Sequence, residues 1–573
     1  MDDYFDLGSH SRLVTTTSLE AQRWFDRGLV WSYAFNHEEA VRCFEMAATA
    51  DPNCAMAYWG IAYALGPNYN KPWEAFDEAE MADAIERTHH VVDRARAVMG
   101  AATPIEQALI GALAARYPGP AVPVDHSVWN ADYADAMAQV YAAAPDDLDV
   151  VALYADALMN LTPWQLWDLT TGEPGPGSRT VEARQALDAA LLTDAALVHP
   201  GVLHMYIHLM EMSPAPERAQ PISDRLRSLV PDAGHLQHMP SHLDVICGDY
   251  RAAIRANTAA TAADEKYRRH AGAMNFYTMY RCHNYHFTIY AAMFLGQERT
   301  ALDAVAGLEA TIPAELLQVQ SPPMADWLEG FLAMRVHVLI RFGRWADITA
   351  LPSPPDPDLY CVSVAMRHYA RGVAFSATGR VAEAETERDA FHHAVHRVPQ
   401  TRMIFNNTCR DILAVAAAML DGELEYRKGH HDVAFALLER AVELDDHLPF
   451  DEPWAWMQPA RHALGALLVE QGRHAAAEAV YRADLGLDPT LPRQCQHPNN
   501  VWSLVGLHEC LVALGKSGEA EIIGAQAKFA AALADVPVTV SCFCRSADNS
   551  LSSAPDGCGD GCGCAHCAGT PSI

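Results

Sequence analysis

Along most of the chain, apolar residues recur at three- and four-residue spacing, the signature of amphipathic helices packed on one face. Residues 22–53 place Trp24, Gly28, Trp31, Ala40, Phe44, Ala47 and Pro52 as a helical hairpin would. Small residues fall where two helices cross, and aromatics fall beside them. A second copy is Leu464, Gly465, Ala477, Tyr481 and Pro489. A Gly followed five residues later by Ala recurs at Gly248/Ala253, Gly296/Ala301, Gly379/Ala384, Gly429/Ala434, Gly472/Ala477 and Gly515/Ala520. Glycine there predicts the left-handed end of one helix, and alanine the close approach of the next. No period-two pattern rich in β-branched residues persists. The pattern predicts an all-α, right-handed solenoid of helical hairpins over about residues 15–535. Irregular insertions are expected near 165–180 and 350–360, where Pro and Gly cluster. A Gly/Ser/Cys-rich tail follows over 536–573.

A chain of 573 residues allows three to five domains of ~100–200 residues or one long repeat array, and the recurring hairpins favour the array. Lys and Arg total 41 against 72 Asp and Glu, a net charge of −31, which disfavours a nucleic-acid interface and repels anionic membranes. No apolar run is long enough to span a bilayer. The start, Met1-Asp2-Asp3-Tyr4-Phe5-Asp6, is acidic where a secretory signal is basic, so a cytoplasmic protein is expected.

Histidine changes this picture. Nine of 27 histidines lie between His199 and His286, where an even spread gives about four. His204 and His208 are spaced to share one helix face, with Glu211 three residues on. His238 and His242 flank Pro240, across a helix entry. His283 and His286 form a third pair. Neutral imidazoles suit copper, zinc or iron, and six can hold two metals with three ligands each. The imidazole-rich, carboxylate-poor set favours copper or zinc over iron. Glu211 and Asp244 are the candidate catalytic carboxylates, orienting imidazoles or accepting protons. The alternatives are a metal-free polar pocket and histidines bonded singly to backbone carbonyls. Asn36, Asn68 and Asn70 read as turn and capping residues, while Asp451, Glu452 and Arg461 are placed to reach a concave face or to begin a helix.

Of 14 cysteines, Cys542, Cys544, Cys558, Cys562, Cys564 and Cys567 crowd the tail. In a reducing compartment such thiolates suit zinc or Cu(I), and the tail reads as a metal-binding segment. No Gly-x-Ser-x-Gly elbow, phosphate-binding Gly-x4-Gly-Lys-Ser/Thr loop or dinucleotide fingerprint is present.

The stretches His199 to Glu211, Gly234 to His242 and Tyr280 to His286, with Tyr33 to Ala40 and Trp502-Ser503-Leu504, resemble a family of tetratricopeptide-like bacterial and fungal chains. That family is distantly similar to tetratricopeptide repeat protein 38. The resemblance covers about 20–530 and implies a tetratricopeptide superhelix, but no activity. Two functions therefore stand as expectations. One is a metal-dependent enzyme, a candidate oxidoreductase acting on a small molecule inside the superhelix. The other is a scaffold binding a peptide or protein on its concave face.

Overall fold

The computed structural model describes residues 4–545. Helical hairpins follow one another from Leu19 to Ala531, and most helices pack chiefly on their neighbours in sequence. The first hairpin, Leu19–Tyr33 and His37–Ala50, shows how the sequence encodes this. The Ser18 side chain accepts from the Ala21 N–H and caps the first helix, and Asn36 accepts from the Glu39 N–H to open the second. The buried Phe44 ring then lies across Gly28 and, on the next helix, Gly60. A Cβ at those glycines would come within 2.7 and 2.4 Å of that ring. Tyr481 sits in the same way between Gly465 and Gly506. All six predicted turn glycines adopt left-handed φ, from 70° to 84°, and the alanine five residues after each is buried.

The chain departs from an even array in three places. The segment between Met159 and Thr180 lacks helix, and so does 351–360. A short antiparallel hairpin, Met403–Ile404 with Asn407–Thr408, interrupts the helices, a feature too brief to leave a period-two pattern. Its turn holds a loop of the C-terminal part: Asn406 donates to the Phe450 carbonyl at 3.0 Å, and Asn407 to Asp451 at 3.1 Å.

The helices spanning 200–295 form the hub. The N-terminal segment reaches them at Asp232, whose N–H donates to the Asp6 carbonyl and whose carboxylate accepts from the Asp6 N–H, with Phe5 against Tyr267. From the other side Trp502 donates to the Met293 carbonyl at 2.7 Å, Arg493 to that of Ile246 at 2.9 Å, and Gln494 to that of Ser213 at 2.7 Å. Both ends of the array thus close on its middle, and residues 450–457 fill the interior beside it. Among the described residues no helix is long and apolar enough to cross a membrane.

The glycine–aromatic contacts give a paired test. Gly60→Ala forces a methyl into the Phe44 ring and is expected to destabilise the protein by about 1–3 kcal/mol. Gly111→Ala, on an exposed helix position with nothing within 4 Å, is expected to stabilise it by up to ~1 kcal/mol. Denaturant titration of both variants checks the contrast, and equal effects would show that the ring contact is not what demands glycine.

Candidate metal centre

The imidazoles meet because three consecutive parts of the hub face one another. His204 and His208 lie one turn apart on the Pro200–Glu211 helix, which His199 caps by accepting from the Val202 N–H. His235 and His238 belong to the short Gly234–His238 helix, and His242 to Pro240–Cys247, so Pro240 starts a new helix between the second pair. His283 comes from Thr278–Leu295. These six side chains are between 0 and 7% exposed. They divide into two triads, His204/His208/His235 and His238/His242/His283, in each of which one ring nitrogen per residue lies within 4.8 Å of the others. The triads adjoin, with His208 and His242 ring centres 5.6 Å apart.

Hydrogen bonding fixes which nitrogens bear protons. His204 Nδ1 is 2.6 Å from the carbonyl of Tyr33, the last residue of its helix, and a carbonyl can only accept. His238 Nδ1 is 2.6 Å from Asn257 Oδ1. The Asn257 amide is held in that orientation because its Nδ2 donates to the Ala253 carbonyl at 2.8 Å. The Glu211 carboxylate spans both triads, with Oε1 2.9 Å from His208 Nδ1 and Oε2 2.6 Å from His242 Nδ1. With Glu211 ionised, four Nδ1 protons are committed and four Nε2 lone pairs are directed inward; a protonated Glu211 donates to one of its two histidines instead and moves that proton to Nε2. His208 Nε2 has no hydrogen-bond partner, and neither do His235 Nδ1 and His283 Nδ1. Most telling, His238 Nε2 and His242 Nε2 stand 2.7 Å apart. Two lone pairs at that distance repel unless a cation lies between them, whereas a proton on either Nε2 makes the contact an ordinary hydrogen bond.

A shared proton is a poor candidate for that cation. Burial pushes His204 down to about 3 and His238 to about 4. Burial first, and then neighbouring imidazoles, hold His208, His235, His242 and His283 well below the ordinary histidine range. Neutral imidazole with a bare nitrogen is the form that ligates metals. Glu452 also contacts His242. Burial, reinforced by Glu452, raises Glu211 well above the usual carboxylate range, and burial does the same to Glu452. Two carboxyls enclosed together resist carrying two negative charges unless positive charge joins them.

Aromatic rings wall the cluster. Phe35 packs on His204, His208 and His235, Trp164 on His208, and Phe405 on His283. All three hold left-handed backbones, with φ of 53°, 60° and 46°. Such conformations cost side-chain-bearing residues roughly 1–3 kcal/mol and gather at functional sites.

Several expected residues lie elsewhere. His286 is not part of either triad. One turn beyond His283 it faces away, with Nε2 2.8 Å from Met457 Sδ and its ring beside Phe331. His235 takes the sixth position, and the His235-x2-His238-x3-His242 spacing is the signal that marks it. Asp244 is also outside the cluster: two residues past His242 it lies on another helix face and pairs with Arg227 at 2.6 Å. Cys542 and Cys544 form a disulfide with each other, which leaves neither a thiolate ligand. Cys558, Cys562, Cys564 and Cys567 lie outside the described residues. Glu211 lies where it can orient imidazoles, and Glu452, a residue the sequence marks only for the concave face, joins it.

Two other histidine groups show what a satisfied network looks like. At Asp149, His199 keeps its Nε2 proton for the carboxylate at 3.1 Å because Val202 occupies its Nδ1, while Tyr33 donates at 2.6 Å. At Asp484, His462 and His497 lie 3.0 and 2.8 Å away, with Asn500 and Ser503 completing the set. Neither leaves lone pairs opposed.

No protein-family model matches the chain, and no curated protein matches it. Solved structures that align with it include the Cut9–Hcn1 hetero-tetramer of the APC/C, at 12% identity over 89% of this chain and 76% of that one, with a TM-score of 0.31. Ypp1 aligns at 9% identity over 93% and 75%, with a TM-score of 0.29. The TPR domain of P58(IPK) aligns at 12% over 81% and 98%, with a TM-score of 0.18. At those scores the architecture rests on the helices themselves, which form a tetratricopeptide-like, all-α solenoid.

The buried neutral histidines set a pH dependence. His204, His238, His286 and His337 are held near 3 to 4, against 6.5 when unfolded, so the unfolded chain binds more protons between those limits. Their contribution is complete above about pH 6.5 and is lost as pH falls toward 3. Each adds up to ~1.4 kcal/mol per pH unit to the slope. Buried carboxyls such as Asp264 and Glu423, pushed up to about 7, hold a proton in the folded chain over the same range and add a slope of opposite sign. The histidine contribution is therefore read by difference: from pH 7.5 to 5 the urea midpoint of metal-free His337→Leu should fall less, or rise more, than that of the parent chain, and identical profiles would contradict the burial.

Proposed function

We propose that this chain is a metal-dependent protein, a candidate oxidoreductase. Two transition-metal ions, copper or zinc before iron, would be held by His204, His208 and His235 and by His238, His242 and His283. The observation that carries this reading is the two buried imidazole triads, with His238 and His242 Nε2 2.7 Å apart, in a site where burial opposes an imidazolium. Six imidazoles without a directly facing thiolate fit borderline metals better than magnesium or calcium. Glu211 would hold His208 and His242 in their ligating tautomers, as carboxylates behind metal-bound histidines do. Glu211 and Glu452 would offset the added positive charge and hold or release a proton beside the cluster. Bound copper supplies electron exchange, and bound zinc supplies polarisation of a substrate or water.

The second reading is a scaffold with a peptide or protein on its concave face, and the stacked-hairpin architecture favours it in general. Against it, residues 450–457 occupy the interior beside the cluster and are buried there. Cytoplasmic placement belongs to the same proposal, supported by the buried, unpaired Cys43, Cys54, Cys282, Cys361, Cys409, Cys495 and Cys510.

Elemental analysis of protein purified without a histidine tag tests this directly. A chain ending at residue 545, which removes Cys558, Cys562, Cys564 and Cys567 and keeps Cys542 and Cys544, is expected to retain about two metal equivalents. His208→Ala and His242→Ala should each lose metal while keeping their helical circular dichroism, and His286→Ala should keep both. Absence of metal from the parent chain, or full loading of both triad variants, would leave the scaffold as the better account.

A further inference from the structure

Beside the second triad lies a cavity of about 260 Å3, which His283 and Glu452 both line. That is below the ~300–1,000 Å3 of sites for drug-sized ligands and suits a molecule built on a single ring. Trp164, Tyr280, Trp327 and Phe405 supply aromatic wall. Two of these, Trp164 and Phe405, are the left-handed residues that the loop before Thr180 and the 403–408 hairpin place there.

The polar lining has one sign. Glu74, Asp451 and Glu452 face the cavity, and no lysine or arginine does. Asp451 is held in place by Asn407 Nδ2 at 3.1 Å and by the Glu452 N–H at 2.9 Å, neither of which carries charge. Burial pushes it well above the usual carboxylate range, as expected of an acid to which the protein offers no cation. Independently of these acids, the Tyr280 hydroxyl is buried without a hydrogen-bond partner, in a residue only 4% exposed. Buried polar atoms left in this way mark a place where another molecule completes the bonding.

Aromatic faces attract cations through their quadrupole, and carboxylates supply the counter-charge. An anionic ligand would meet Glu74, Asp451 and Glu452 and no cationic lysine or arginine. A neutral ring would fill the volume but give the carboxyls no counter-charge on ionisation, which an organic cation supplies. We propose that this cavity binds a small organic cation, an ammonium compound carrying one ring, with its charged nitrogen toward Asp451 and Glu452. The inference rests on the metal reading only in making this ligand the substrate of the cluster. The binding itself needs no metal.

Benzylammonium, benzyl alcohol and benzoate share a shape and differ in charge, so they serve as probes. Titration calorimetry at pH 7, on the full chain with and without metal, is expected to rank benzylammonium about tenfold or more above benzyl alcohol, with benzoate undetected. Asp451→Asn should reduce that preference to below about threefold. If that variant fails to fold, Glu74→Gln, a change at an exposed position, decides by the same ratio and should lower it. Equal binding of the alcohol, binding of benzoate, or an undiminished preference in the folded variants would overturn the proposal. A metal-loaded chain without charge preference keeps the metal reading and loses this one, and charge preference in a chain that takes no metal does the reverse.

Discussion

Imidazole nitrogens facing one another inside a closed protein are the constraint around which this molecule is arranged. His238 and His242 turn their Nε2 atoms toward each other, with the Nδ1 of each bonded to Asn257 and Glu211. Glu211 likewise bonds His208 Nδ1, and the Tyr33 carbonyl bonds His204 Nδ1. The cost of keeping so many polar groups from water is met only if each is bonded or receives a ligand. That demand explains why residues distant in sequence are spent as hydrogen-bond acceptors at the hub.

The solenoid supplies the enclosure. Stacked hairpins alone make an open superhelix, with an inner face accessible to partners. Here the N-terminal segment docks near Asp232 and the C-terminal helices dock on Met293 and Ile246, so the array folds back on its own middle. Phe35, Trp164 and Phe405 then press their rings against the imidazoles from three separate connecting segments. Loops can adopt the left-handed backbones this requires, whereas helices cannot. The repeats provide the frame, and the irregular connections provide the chemistry.

The same division separates the cluster from the other histidine groups. Asp149 and Asp484 each gather two imidazoles, yet every proton there has an acceptor, and the groups tie one segment to another. The hub cluster has more nitrogens than protons to share. Proximity of histidines is common to all three places, and only the balance of donors and acceptors tells them apart.

Sequence by itself determined the helical hairpins, because helix periodicity, turn glycines and glycine–aromatic crossings are local properties. Gly248 and its five counterparts take the left-handed turns their spacing implies. It also determined that His204, His208, His238, His242 and His283 belong to one region, since helical spacing puts such pairs on shared faces. Tertiary structure decided the rest. Whether His286 or His235 joins the other five depends on how the Thr278–Leu295 helix rotates against Gly234–His238. Glu452 reaches His242 only because the array closes, bringing together residues 210 positions apart. Which imidazole nitrogen carries a proton is set by a carbonyl, an amide and a carboxylate contributed by three different helices, and no local pattern encodes that meeting.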